Sequence, residues 1–199
     1  MKNITKLLIL IILIGIIYYF IQRNKTIENI KSNMKRDPYQ DAWEIGKEHI
    51  DYLKSVNYFG LKNIAVMFDI DDTLLAVRGN NLYKIPPIIK LLNYAKKQGI
   101  MIVIITARPI SYGYGTHQDL VRHKIYYDKL FLRQPSDSMN FKRTIKKQLK
   151  DIGINIILSV GDQEHDVENP YYSGLGLKLP NGMDPNLYIH NIDGNVVKN

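Results

Sequence analysis

Four short apolar runs, each followed by a helix-like stretch, constrain this chain more than any other feature. Residues 64–68 (IAVMF), 101–105 (MIVII), 129–132 (KLFL) and 156–160 (IILSV) read as strands, and 175–179 (LGLKL) as a fifth. They show little polar alternation, so both of their faces must be covered. Asp37 is placed to cap a helix with Pro38 at its first position and Gln40 where a capping box wants it, running to Tyr58. Pro86 and Pro87 open a second helix, with Ile88, Leu91, Leu92 and Ala95 on one face and Gly99 at its end. Further helices are expected near 117–123 and over 140–150, the latter ending at Gly153. Strands alternating with helices predict an α/β fold: a three-layer, Rossmann-like parallel sheet with helices on both faces. In such sheets the chemistry collects at the carboxyl ends of the strands.

The chain of 199 residues is 45% hydrophobic and 23% charged, enough to bury one core without staples. It has no cysteine. That excludes disulfide scaffolds, thiolate metal sites and cysteine nucleophiles. The formal charge is +8, but residues 1–36 hold seven basic groups against Glu28, so the remainder carries only +2. This distribution argues against nucleic acid as a partner of the domain.

What stands at the strand ends is specific. Asp69 and Asp71 follow the first strand, Thr106, Ala107 and Arg108 the second, Lys142 opens the helix beyond the third, and Asp162 and Asp166 follow the fourth. Clustered carboxylates repel unless a cation neutralises them, and an oxygen-only donor set suits Mg²⁺. An ammonium and a hydroxyl beside that metal would hold an anion. A phosphoryl group facing a carboxylate is the chemistry this set describes. Asp69 and Asp71, two apart on an extended chain, would face one side, so one could attack phosphorus while the other handles the leaving-group proton.

The stretches FDIDDTLL (68–75), TARP (106–109), YDKLFLR (127–133), Phe141-Lys142 and GDQ (161–163) resemble, in this order, the motifs of the haloacid dehalogenase (HAD) superfamily, and within it the class B and plant acid phosphatase branch that includes vegetative storage proteins. The resemblance implies the HAD fold for about residues 38–190, without a large cap domain: one helix and a flap separate Thr73 from Thr106, and a helix and a strand separate Thr106 from Lys142. It implies a Mg²⁺-dependent phosphomonoester hydrolase with a small phosphomonoester as substrate. Asp69 would be the nucleophile forming an aspartyl-phosphate and Asp71 the general acid and then base. Thr106 and Lys142 would hold the phosphoryl oxygens, with Ala107 beside Thr106 also binding substrate, and Arg108 would either bind the phosphate or the leaving group or pair with a carboxylate at the strand edge. Mg²⁺ would be held by Asp69, the Asp71 carbonyl and Asp162, with Asp166 binding metal through water or orienting Lys142. If the protonated Asp71 limits the rate, the optimum lies below pH 7. The alternatives are a catalytically weak storage or scaffold protein, a polynucleotide end phosphatase, and transfer to an alcohol in place of water.

Residues 7–21 (LLILIILIGIIYYFI) carry no charge and as a helix span roughly 22 Å, short of the ~30 Å hydrocarbon core unless residues 4–6 extend it. Tyr18, Tyr19 and Phe20 suit a membrane interface and not a signal-peptidase site, although a cleaved signal and a core helix are the competing readings. The expected organisation is an anchor over 1–22, a charged juxtamembrane linker over 23–36, and the phosphatase domain over 37–199. The excess of cations after the apolar run places that domain on the cytoplasmic side of a single-pass anchor. Abundant Ile, Lys, Asn and Tyr fit an AT-rich microbial genome or a large DNA virus, hence a host membrane or a virion. Nothing in the sequence indicates an oligomeric state.

Three further expectations concern side chains outside the motifs. Tyr83, Tyr112 and Tyr114 either stack on a nucleobase or pack within loops. Arg143, Lys146, Lys147 and Lys150 either steer anionic substrates or a nucleic-acid backbone, or, as such runs more often do, form a solvated helix face. His49, His117, His123 and His190 lie at the surface, and His165 stands beside the metal-binding segment.

Overall fold

The first helix, α1 (Pro38–Ser55), starts as expected, with the Asp37 carboxylate accepting from the Tyr39 N–H at 3.1 Å. Gln40 completes no capping box; its amide donates to Glu44. The computed structural model describes residues 37–58, 63–138, 140–168, 170–191 and 195–198. The expected anchor, linker and all of residues 1–36 lie outside the described residues. Among the described residues no helix is long and apolar enough to cross a membrane.

The strands are β1 (Ile64–Phe68), the hairpin β2 (Leu75–Arg78) and β3 (Asn81–Lys84), β4 (Met101–Pro109), β5 (Lys129–Arg133), β6 (Asn155–Gly161), β7 (Leu175–Lys178), β8 (Tyr188–His190) and β9 (Val196–Lys198). The helices after α1 are α2 (Pro86–Lys97), α3 (Gly113–Arg122), α4 (Phe141–Asp151) and the single turns α5 (Glu164–Val167) and α6 (Pro170–Ser173). Seven strands form one sheet in the order β5-β4-β1-β6-β7-β8-β9, parallel from β5 to β7 and antiparallel beyond. β8 and β9, where the sequence is ambiguous, close the far edge. Among the described residues β2 and β3 pair with each other and with no other strand, and form the flap.

The two helical layers can be placed from the register. Ala65 and Met67 of β1 pack with Val103, Ile105 and Ile156 against Phe141 and Leu149 of α4. Val66 stands opposite Leu158 in the next strand, and neighbours in register share a face. A side chain at Gly46 of α1 would collide with Leu91 of α2 at 2.7 Å and come within 3.4 Å of Leu158. So α1 and α2 cover the Val66–Leu158 face and α4 the opposite one. The three layers are present, and every residue of β1 is buried because it is covered twice.

From β1 the chain winds outward through β4 to β5, then returns to β6 and winds the other way to β7. The direction reverses between β1 and β6. Just beyond the carboxyl ends of these two strands a doubly wound sheet leaves a crevice. Between residues 73 and 138 the chain builds only the flap, α2, β4, a turn of 3₁₀ helix (Ile110–Tyr112), α3 and β5. No inserted domain covers the crevice from there.

Candidate active site

Asp69 follows the last residue of β1 and is still tied to β6, its N–H donating to the Val160 carbonyl at 3.0 Å. Then the strand geometry ends. The Ile70 carbonyl accepts from Thr73, Leu74 and Leu75, and Asp72 turns through a left-handed φ of 51° while its carboxylate accepts from the Val77 N–H at 3.1 Å. This coil feeds the flap. The backbone after Asp69 is thus not the extended chain expected, because satisfying the backbone groups of 70–75 requires a tight turn. The Asp69 side chain points inward, 8% exposed, whereas that of Asp71 stays 38% exposed at the mouth.

Lys142, in the first turn of α4, is buried. Its ammonium lies 2.8 Å from Asp69 Oδ1 and donates to Asp166 Oδ1 at 2.5 Å. The contact to Asp69 is a charge contact off the hydrogen-bond direction, which leaves that buried oxygen without a directed donor. Asp166 is held twice, because its Oδ2 accepts from the Gln163 N–H at 3.0 Å, closing a capping box on α5. Gly161 lets the segment pass so closely; a Cβ there would sit 2.2 Å from that of Asp166. Asp162 is buried, with its carboxylate accepting from the Gln163 amide and its carbonyl from Asn181 at 2.8 Å.

Asp69, Asp162 and Asp166 each bring a carboxylate oxygen within 4.8 Å of the others. Burial pushes the Asp69 carboxyl up to about 7, Lys142 opposing the shift and Asp166 adding to it. Burial likewise raises Asp162 to about 6, against the Gln163 hydrogen bond and with the help of Asp166. Lys142 loses hydration by burial, but Asp69 and Asp166 more than offset that and hold it above its ordinary value. Three buried carboxylates, one of them with an undirected oxygen, form a donor set that fits a small, hard dication.

At the rim, Thr106 is the last buried residue of β4, and its hydroxyl accepts from the Arg108 N–H at 3.3 Å. Ala107 is exposed. The Arg108 guanidinium grips Asp71 with two parallel bonds, Nε to Oδ2 at 2.9 Å and Nη2 to Oδ1 at 2.7 Å. Its Nη1 donates to Asp119 of α3 at 2.8 Å. Burial works against its charge, and the two carboxylates outweigh that, so it stays a cation.

The sequence motifs thus come together in two groups: Asp69, Lys142, Asp162 and Asp166 inside, and Asp71, Arg108 and Asp119 at the mouth. Asp119 carries no motif signal and was not anticipated. Nor was Lys146 as an interior residue. It is 1% exposed, donates to the Asp166 carbonyl and to Ser173 Oγ at 2.8 Å, and burial lowers it to about 8. Its signal was present, since the spacing of four places it on the same helical face as Lys142. The expected surface position of His190 is also corrected. It is buried, 3.3 Å from Glu164, because β8 is an inner strand between β7 and β9. Tyr83, Tyr112 and Tyr114 are 53%, 52% and 81% exposed.

Residues 77–185, more than half of the chain, match the HAD superfamily, subfamily IIIB acid phosphatase family. The chain belongs to that family. This acid phosphatase family member carries Thr106, Lys142, Asp162 and Asp166 inside the matched stretch and Asp69 and Asp71 just before it. The family is one of acid phosphatases. No curated protein matches it. Among solved structures it resembles the class C acid phosphatase of Bacillus anthracis, with a TM-score of 0.60 at 16% identity over 77% of this chain and 81% of that one. The tungstate-bound form of the same enzyme gives 0.60 at 18%, over 74% and 78%. A chain of the Pnkp1/Rnl/Hen1 RNA repair complex gives 0.53 at 20%, over 62% of this chain. The chain spans 44% of that relative, less than half its length. At these identities the likeness is one of fold.

Proposed function

We propose that this phosphatase is a Mg²⁺-dependent phosphomonoester hydrolase working through an aspartyl-phosphate on Asp69. The observation that carries the reading is the buried Asp69 carboxylate facing the Lys142 ammonium, beside Asp162, at the crevice where the sheet reverses direction. Asp69, the Asp71 carbonyl and Asp162 would hold Mg²⁺, which would neutralise carboxylate and phosphate charge together. Asp166 orients Lys142. Thr106, the Ala107 backbone and Lys142 bind the phosphoryl oxygens. An Asp69 oxygen attacks phosphorus, the ester bond breaks, and Asp71 gives its proton to the departing oxygen. Water then attacks the phosphoryl group, passing a proton to Asp71, and phosphate leaves Asp69 free.

Hydrolysis of an aryl phosphate by the full chain, with and without Mg²⁺ and beside Asp69→Asn, tests this. Activity that needs Mg²⁺ and vanishes in the variant is the expected result; activity surviving Asp69→Asn would sink the mechanism. A rate that climbs steadily to pH 9 would count against Asp71 as the acid. The division into an anchor (1–22), a linker (23–36) and a domain (37–199) belongs to the same proposal. Release of the full chain from membranes by alkaline carbonate would overturn the anchor.

A second reading, action on polynucleotide ends, draws on the exposed Tyr83, Tyr112 and Tyr114 and on the fold shared with a chain of an RNA repair complex. Comparing phosphorylated oligonucleotides with small phosphomonoesters decides between the two.

A further inference from the structure

Arg108 is held between two carboxylates. Asp119, itself 11% exposed, holds Nη1 from the α3 side, while the bidentate edge of the guanidinium, Nε and Nη2, faces the more exposed Asp71. Both Asp71 oxygens accept from Arg108, so the contact holds the carboxyl turned toward the guanidinium and must loosen for it to swing to a leaving oxygen. Two carboxylates share one guanidinium. If Asp71 departs, Asp119 still pairs with Arg108, and the fork remains aimed at the mouth. A phosphate offers two oxygens in the same planar arrangement as a carboxylate and matches that edge equally well. Exchanging one bidentate anion for another preserves the charge pairing of Arg108 and sets Asp71 free.

We propose that Arg108 selects phosphomonoesters bearing a second phosphate group, which takes the guanidinium edge now held by Asp71 and so releases Asp71 toward the leaving oxygen. This rests on the hydrolytic reading above for the role of Asp71. The scissile phosphate belongs to Lys142 in the interior and to Thr106 at the end of β4. The second phosphate belongs to Arg108 at the rim. A substrate with a single phosphate leaves the Arg108–Asp71 contact in place and reacts more slowly.

Calorimetric titration of full-length Asp69→Asn with Mg²⁺ separates recognition from turnover. The probes are adenosine 3′,5′-bisphosphate, adenosine 3′-monophosphate and adenosine 5′-monophosphate. The bisphosphate is expected to bind more tightly than either monophosphate, on the order of tenfold to hundredfold. Adding Arg108→Gln abolishes the gain, and Arg108→Lys, which keeps the charge but loses the fork, retains only a small part of it. Arg143→Gln, which removes one charge from the exposed face of α4, leaves the gain intact. Equal affinities in Asp69→Asn, a gain that survives Arg108→Gln, or one lost equally in Arg143→Gln would each overturn the proposal. A bisphosphate preference intact in binding, with no turnover of these compounds by the wild type, counts against the hydrolytic mechanism and not against recognition by Arg108.

Discussion

Lys142 of α4 and Asp166 of α5 meet at 2.5 Å with both side chains buried, and this pair aims the ammonium at Asp69. Asp166 is anchored in turn by the Gln163 N–H. Lys142→Met should therefore lower kcat/KM by on the order of 10²–10³, the scale of losing one preorganised donor. Asp166→Asn, which displaces Lys142 without removing it, should cost about 10–100-fold. Steady-state kinetics on an aryl phosphate check both.

Asp69 makes opposite contributions to activity and stability. Its carboxyl, raised to about 7 by burial, is ionised at pH 8 against the preference of its surroundings. Asp69→Asn removes that charge at nearly constant volume. The variant should be inactive yet melt about 2–4 °C above wild type at pH 8 in EDTA, as a gain of about 1 kcal/mol would produce. Differential scanning calorimetry reads the shift, and a lower melting temperature would refute it.

Stability without metal should depend on pH in a defined direction. Asp69 and Asp162 titrate near 7 and 6 when folded, against an ordinary value of 3.8. Between about pH 4 and 7 the folded state binds more protons than the unfolded one, so stability is full below the unfolded value and falls as pH rises through the folded ones. Saturating Mg²⁺, which binds the ionised carboxylates, should flatten this fall. Urea midpoints from pH 4 to 8, with EDTA and with Mg²⁺, test both arms.

Two neighbouring lysines should behave differently. Lys146 is interior and satisfies the Asp166 carbonyl and Ser173, whereas Lys147 makes an exposed pair with Asp151. Lys146→Ala leaves a cavity and unpaired polar groups and should cost about 2–4 kcal/mol in urea unfolding. Lys147→Ala should leave the midpoint where it is.

Gly161→Ala brings a methyl group to 2.2 Å from the Asp166 Cβ, with Asp166 packed on all sides. Asp166 must shift off Lys142. Loss of activity comparable to Asp166→Asn, with a lowered melting temperature, is the expected outcome.

The strands and helices could be read in the sequence because their causes are local. IAVMF is apolar on both faces, Pro86-Pro87 opens α2, and Gly99 and Gly153 supply the positive φ that ends α2 and α4. The interior site residues, Asp69, Lys142, Asp162 and Asp166, were legible for a related reason: a parallel sheet carries whatever follows its strands to one edge, so their place in the motifs sets their place in space. Two things depended on tertiary structure alone. The turn at 70–75 leaves Asp71 exposed while Asp69 is buried, because backbone groups leaving a sheet must find new partners. The clamp on Arg108 joins Asp71 and Asp119, 48 positions apart in the chain, and no local periodicity encodes such a meeting. Lys146 shows the boundary between the two. Its helical spacing was visible, but only the packing of α4 against the segment after β6 decided that its ammonium lies in the interior and not in water.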